Sequence, residues 1–235
     1  MTPIIQLNNI NKAYTLGKVT QPVLHDISMA IYAGEFVAIV GASGNGKSTL
    51  LNILTGIDKP SSGQVTVCGS QLQRLKEEQL SVWRGKNVGI VFQFFQLLPA
   101  LTLLQNILLP MDFVGKLKKR ERLTRAHYLL DLVGLKDQAQ QLPSQVSGGQ
   151  QQRAAIARAM ANDPPLIVAD EHTGNLDCET ADSVFALFLT LCQQGKTLVM
   201  VTHNEALADA ASRRIAIHSG HILSDEKTHT RQSLV

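Results

Sequence analysis

The chain has 235 residues, 44% hydrophobic and 17% charged, with a net charge of +3. That length can bury a full core and points to one domain, or one domain with an inserted subdomain, while so small a charge gives no ground of its own for a nucleic-acid partner. Cys68, Cys178 and Cys192 are odd in number and lack C-x-x-C spacing, which excludes a disulfide frame or zinc site and fits free thiols in a reducing compartment. Met1-Thr2-Pro3 opens no basic and then apolar leader, so no secretory signal is legible. The most apolar stretch, Leu97 to Met111, is interrupted by Pro99, Gln105, Asn106 and Pro110 and cannot supply the ~20 apolar residues of a membrane span. The expectation is a soluble, cytoplasmic chain whose membrane role, if any, comes through a partner.

In chain order, Ile27, Met29 and Ile31 alternate with Ser28, Ala30 and Tyr32, the period of a half-buried strand. Ala33-Gly34-Glu35 turns the chain into Phe36 to Val40, an all-apolar run short enough to be a strand buried on both faces. That run opens onto Gly41, and Ser48 to Leu54 predicts a helix stopped at Gly56. Val65 to Cys68 and Val88 to Phe92 predict further strands. From Leu101 to Ala161 the pattern is helical, with Leu123, Ala126, Leu130 and Val133 on one helix face ending near Gly134. Strands return at Leu166 to Ala169 and Thr197 to Val201, and Ile215–His218 with His221–Leu223 predicts a terminal hairpin. The expected architecture is an α/β nucleotide-binding core with a helical insertion of roughly residues 94–160, and a polar, loose end from Lys227 to Val235.

Gly41-Ala42-Ser43-Gly44-Asn45-Gly46-Lys47-Ser48 satisfies G-x-x-x-x-G-K-[ST] between a buried strand and a helix. In such a loop successive backbone N–H groups turn inward around phosphate oxygens and the next helix points its positive end at them. Lys47 would reach the outer phosphates and the Ser48 hydroxyl would hold Mg²⁺. Leu166 to Ala169 ends in Asp170-Glu171, which places Asp170 to serve the Mg²⁺ shell and Glu171 to polarise a water. Read alone, that acidic pair could equally begin a helix; beside the phosphate loop the metal reading is stronger. Val146-Ser147-Gly148-Gly149-Gln150 precedes the helix former Gln151 to Met160, so it is either a simple cap or a second anion site. Gln93 and His203 each follow a strand at its carboxyl end, where α/β folds place their ligands, although a lone Gln or His there is more often structural. Tyr14 either stacks on a base or packs.

In order and spacing, Gly41–Ser48, Gln93, Val146–Gln150, Leu166–Glu171, Asn175-Leu176-Asp177 and His203 resemble the ATP-binding cassette (ABC) ATPases over essentially the whole chain. The resemblance implies a P-loop, RecA-like core (1–93 and 161–235) with an N-terminal antiparallel β subdomain and an inserted α-helical subdomain (94–160) carrying the signature. It implies a head-to-tail homodimer closed by ATP, in which Gly41 to Thr49 of one subunit and Ser147–Gln150 of the other sandwich each nucleotide. Gln93 would touch Mg²⁺ and sense a membrane partner, Asp177 would lie across the dimer interface, His203 would contact the γ-phosphate, and Tyr14 would stack on adenine. With Lys47, Glu171 and His203 as catalytic residues and Ser48, Gln93 and Asp170 around Mg²⁺, the expected reaction is in-line hydrolysis with Glu171 as general base. Thr173 to Asp177 and Phe95 to Pro99 look like the lipoprotein-release, cell-division and macrolide-efflux subgroup. There the ATPase works on a separate integral membrane permease, from the cytoplasmic face of the membrane, for export or extracytoplasmic work.

The chain departs from the family at Val146 (usually Leu), at Asn45 (commonly Ser), whose side chain a nest of backbone amides does not need, and at His172 (usually Pro). A non-transport ABC ATPase acting mechanically on another macromolecule is the alternative, but the stretch from Gln93 to Ser147 leaves no room for a coiled coil or zinc insertion, and there is one cassette, not two. A GTPase would want N-K-x-D, and Asn11-Lys12-Ala13-Tyr14 lacks the Asp. Lys116, Lys118, Lys119, Arg120, Arg122 and Arg125 form a basic cluster, which reads first as a solvated helix face and second as an attraction to an anionic leaflet.

Overall fold

The computed structural model describes residues 2–170, 178–202 and 205–228, with side chains 178–183, 206 and 207 outside that description. Two sheets organise it. β1 (Ile5–Leu16), β2 (Val19–Ile31), β4 (Ser62–Val67) and β5 (Ser70–Gln71) form an antiparallel sheet in the order β2-β1-β4-β5. β3 (Phe36–Val40), β6 (Val88–Val91), β7 (Leu166–Asp170), β8 (Thr197–Val201), β9 (Arg213–His218) and β10 (His221–Lys227) form a second, in the order β10-β9-β3-β8-β7-β6. The latter is parallel except for β10, which closes the terminal hairpin with β9.

The central strands β3, β7 and β8 are apolar but for Asp170 and Thr197 at their ends, because both faces are covered. On β3, Phe36 and Ala38 join one core while Val37 and Ile39 join the other. β7 and β8 divide the same way, Ile167, Ala169, Leu198 and Met200 against Leu166, Val168, Val199 and Val201. The second core fills the space under the antiparallel sheet with Ile5, Leu7, Ile27 and Ile31 and with α1 (Lys47–Leu54). Each such fully buried side chain contributes about 1.5–3 kcal/mol of transfer free energy.

The first core is built largely by α3 (Leu103–Val114), α4 (Lys119–Leu132) and α5 (Gly148–Ala159), with α6 (Cys178–Gln193) on the sheet. Thr102 starts α3 as a capping box, its hydroxyl accepting from the Gln105 amide while the Gln105 side chain accepts from the Thr102 amide. α4 ends at Val133, and the next residue, Gly134, takes a left-handed φ of +67°, as the sequence anticipates. Two further α-helices, α2 (Glu77–Asn87) and α7 (Glu205–Ala210), and three single-turn 3-10 helices complete the description. β4 begins before the predicted Val65, β6 stops at Val91, and the hairpin runs longer than expected on both strands. Among the described residues no helix is long and apolar enough to cross a membrane.

Candidate functional site

The strand order brings the carboxyl ends of β3, β8 and β7 side by side, where parallel sheets form their ligand crevice. Val201 pairs with Ile39 on one side and Asp170 on the other, so Asp170 stands level with the end of β3 and two strands, about 10 Å, away. Beyond β3 the chain turns sharply at Gly41. A Cβ there would lie 2.2 Å from the Ile217 carbonyl oxygen, and one at Gly46, where φ is +90°, would lie 2.9 Å from the Val23 carbonyl. Only glycine lets the loop sit clamped between β2 and β9. The Asn45 carboxamide donates to the same Ile217 oxygen at 3.1 Å. That gives the Asn45 side chain a part the sequence does not assign to it.

Lys47 is buried, and its ammonium donates to the carbonyls of Gly41 and Ala42, both at 2.8 Å. Burial pushes its pKa down and the Asp170 charge opposes that shift. α1 starts with a bare Gly46 cap and no acidic side chain in its first turn. Its orphan amides and positive dipole end therefore face a cavity of about 180 Å³ lined by Ser43, Gly44, Ser48 and Thr49. Among the described residues the buried Oδ1 of Asp170 has no hydrogen-bond partner. An orphan carboxylate oxygen facing the phosphate-loop lysine is a fit for a hard divalent cation, which takes oxygen ligands.

Tyr14 is held at the edge of this site. Its hydroxyl donates to Asp58 at 2.7 Å and also engages Thr49 of α1, while Lys12 lies over the ring at 4.7 Å. Lys12 itself pairs with Asp58 at 2.6 Å. Burial, then the bond to Asp58, raises the phenol pKa. Burial also pushes the Asp58 carboxyl up, but hydrogen bonds from Lys12, Tyr14 and the Lys59 amide outweigh it and hold the carboxyl below its ordinary range. Lys12 and Asp58 carry no motif and escape the sequence.

Gln93 stands half-buried two residues past β6. The chain then enters left-handed backbone at Phe95 (φ 53°) and Gln96 (φ 49°). Arg158 of α5 donates to the carbonyls of both, at 2.7 Å and 2.5 Å. In the sequence Arg158 is only one residue of a helix former. At the other end of α5, Ser147 is the N-cap: its hydroxyl accepts from the Gln150 amide at 3.3 Å and its amide donates to the Gln150 side chain at 2.9 Å. Among the described residues a Cβ on Gly148 would meet nothing within 4 Å. Among the described residues, no hydrogen bond or ion pair joins 146–150 to 41–49. Glu171, Asp177 and His203 lie outside the described residues, as does His172.

The ABC transporter family model matches residues 24–174. The chain is 42% identical over 233 residues to the lipoprotein-releasing system ATP-binding protein LolD 1 of Chlorobium chlorochromatii, covering 98% of this chain and 95% of that protein. It is 43% identical over 234 residues to the macrolide export ATP-binding/permease protein MacB of Photorhabdus laumondii, covering 100% of this chain but 36% of the relative. Among solved structures, an ATP-binding cassette in a dimeric, post-hydrolysis state bound to ADP and Pi superposes with a TM-score of 0.89 at 40% identity, covering 96% of this chain and 99% of the other. With a phosphate loop, an acidic strand end and a glycine-led helix set on one α/β frame, the chain belongs to the ATP-binding cassette family of transporter ATPases.

Proposed function

We propose that this chain binds ATP with Mg²⁺, closes head-to-tail with a second copy, hydrolyses the nucleotide, and so drives a separate membrane permease in export or extracytoplasmic work of the lipoprotein-release or macrolide/peptide-efflux kind. One observation carries the dimeric reading: Gly148 is a glycine that none of the described residues of its own chain requires. It has helical backbone and open space at its Cβ position, and glycine in a helix costs up to about 1 kcal/mol relative to alanine. Its use there is close approach by something outside the chain. A phosphate seated on the opposite subunit's Gly41–Thr49 loop meets that requirement at an open helix N-terminus.

The residues divide the work accordingly. Gly41 to Thr49 cradle the phosphates by backbone amides, Lys47 turns from its two loop carbonyls to the outer phosphates, and Tyr14 presents its ring to the base. Ser48, Gln93 and Asp170 would hold Mg²⁺, which when bound neutralises charge on the phosphate oxygens. Glu171 takes the proton of the attacking water and His203 steadies the γ-phosphate. Ser147 to Gln150, with Asp177, complete the site across the interface.

Residues 94–160 act as the arm that reaches the permease. Support comes from an apolar groove of about 640 Å³ lined by Val82, Leu98, Leu109 and Phe113 together with Gln96 and Arg158. A short cytoplasmic segment of a permease fits that groove, and one relative joins ATP-binding and permease functions under a single name.

The test is light scattering of purified Glu171→Gln protein with and without Mg-ATP. A monomer that becomes a nucleotide-locked dimer is the expected result, and Ser147→Arg in the same background abolishes it. Protein that binds ATP but stays monomeric, both alone and with a permease, sinks the composite-site reading.

A further inference from the structure

The junction of α3 and α4 presents a surface that nucleotide chemistry does not use. Phe113, in the last turn of α3, is 79% exposed, more than any other large hydrophobic residue among those described. The chain turns at Gly115 (φ +65°), and Lys116, Lys118, Lys119 and Arg120 follow, all exposed. Leu117 between them is half-buried and packs against the helical core, which anchors the turn.

The structure divides the basic cluster into two groups. Arg122 is turned back to Asp112 at 3.1 Å, and Arg125 donates to the Met160 carbonyl and to Asp163. The other four cations have no ion pair among the described residues. Glu121, the one carboxylate in their midst, accepts from the Lys118 amide at 2.7 Å as part of the α4 cap. Residues 112–125 hold six basic and two acidic side chains, a net +4 in a chain whose total is +3, so the remainder carries −1. An ordinary solvated helix face intersperses the two signs. Four unpaired cations gathered beside a bare aromatic ring instead match the combination that binds a lipid interface, where the ring enters the headgroup region and long basic side chains reach the phosphates.

We propose that Phe113 with Lys116, Lys118, Lys119 and Arg120 forms a direct lipid-contact patch that takes the anionic phospholipid headgroups of a bilayer surface. The inference stands apart from the transporter reading, since vesicle binding needs no permease and the dimerisation test involves no lipid.

The experiment is co-sedimentation of the purified full chain with vesicles of phosphatidylcholine alone, or with phosphatidylglycerol added, at low and high salt. Binding is expected only to the anionic vesicles and falls as salt screens the charges. The neutralised variant K118Q/K119Q/R120Q lowers the partition coefficient roughly 100-fold, about fivefold per cation. Phe113→Ser lowers it at low salt with every cation still in place. ATP binding and the melting temperature of both variants stay at the parent values, which shows that the loss is not misfolding. Equal binding to neutral and anionic vesicles, no binding to either, or an unchanged triple variant overturns the proposal. So does retention on RNA or an acidic polypeptide without retention on anionic vesicles.

Discussion

Arg158, near the end of α5, donates to the carbonyl oxygen of Phe95 at 2.7 Å and so ties the helix that begins at Ser147 to the loop that follows Gln93. Phe95 and its neighbour Gln96 are both non-glycine residues in left-handed backbone, a conformation that costs roughly 1–2 kcal/mol per residue. A charge-assisted fork onto their two carbonyls supplies what the strained loop lacks, at about 1.5–3 kcal/mol per bond of this kind. Arg158→Ala is therefore expected to speed amide exchange across residues 94–97 and to lower the melting temperature by roughly 5–10 °C. Exchange there at the parent rate would show that the loop holds its shape without the arginine.

A second long-range tie joins Asp58 to β1. Asp58 binds the largely buried Lys12 ammonium and the Tyr14 hydroxyl together. Asp58→Ala leaves Lys12 with the Lys59 carbonyl as its remaining hydrogen-bond acceptor, at a cost of about 1–3 kcal/mol given the partial exposure of the pair. Because the folded-state pKa of Asp58 lies below its ordinary value of 3.8, its contribution is present above that pH and is lost as pH falls through the folded-state value. Urea titrations of parent and Asp58→Ala at neutral pH and in acid should differ most at neutral pH and converge in acid. A gap that persists undiminished in acid would mean the carboxylate charge is not what stabilises.

What the sequence discloses depends on how local each feature is. β3, β7 and β8 are legible because burial on both faces makes each a continuous apolar run. β1 is not. Its register shifts between Leu7 and Ile10 and again at Lys12, so Ile5, Leu7 and Ile10 break the period of two, and Asn9 takes a positive φ. α2 buries only Leu80 and Trp83, too little for a helical stripe. In α3, Asn106 looks like an interruption but is 1% exposed, with its carboxamide accepting from the Leu98 amide and donating to the carbonyls of Leu98, Leu101 and Thr102. The phosphate loop and the Ser147 cap are legible because backbone geometry within a few residues makes them. Asp58 and Arg158 are invisible in sequence because their partners lie 44 and 63 positions away.

Gly148 separates folding from function in a single substitution. Its backbone is helical, and a Cβ there meets nothing among the described residues. Gly148→Ala should stabilise the isolated chain by about 0.5 kcal/mol through the unfolded state. In the Glu171→Gln background the same change should weaken ATP-driven dimerisation at least tenfold, because the proposed interface sets the other subunit's nucleotide against that methyl group. Thermal melts and light scattering read the two effects independently. Improved stability with dimerisation intact would show that the glycine has no interfacial role.

Burial pushes the thiols of Cys68 and Cys192 up to about 11 from an ordinary 9.0, with no cationic partner among the described residues to offset it. At neutral pH that leaves them about 100-fold less thiolate than an exposed cysteine, and the thiolate is the reactive form. In a Cys178→Ser background, iodoacetamide should leave the native protein almost unlabelled, and denaturant should restore labelling at both positions. The linkage runs the other way from Asp58. A folded pKa above the unfolded one stabilises below pH about 9, and that stability is lost as pH rises through about 11. Replacing both thiols by alanine should therefore flatten the alkaline limb of a stability-against-pH profile while leaving its acid limb in place. Fast labelling of the native chain at neutral pH would show that these sulfurs are not held from water as the fold places them.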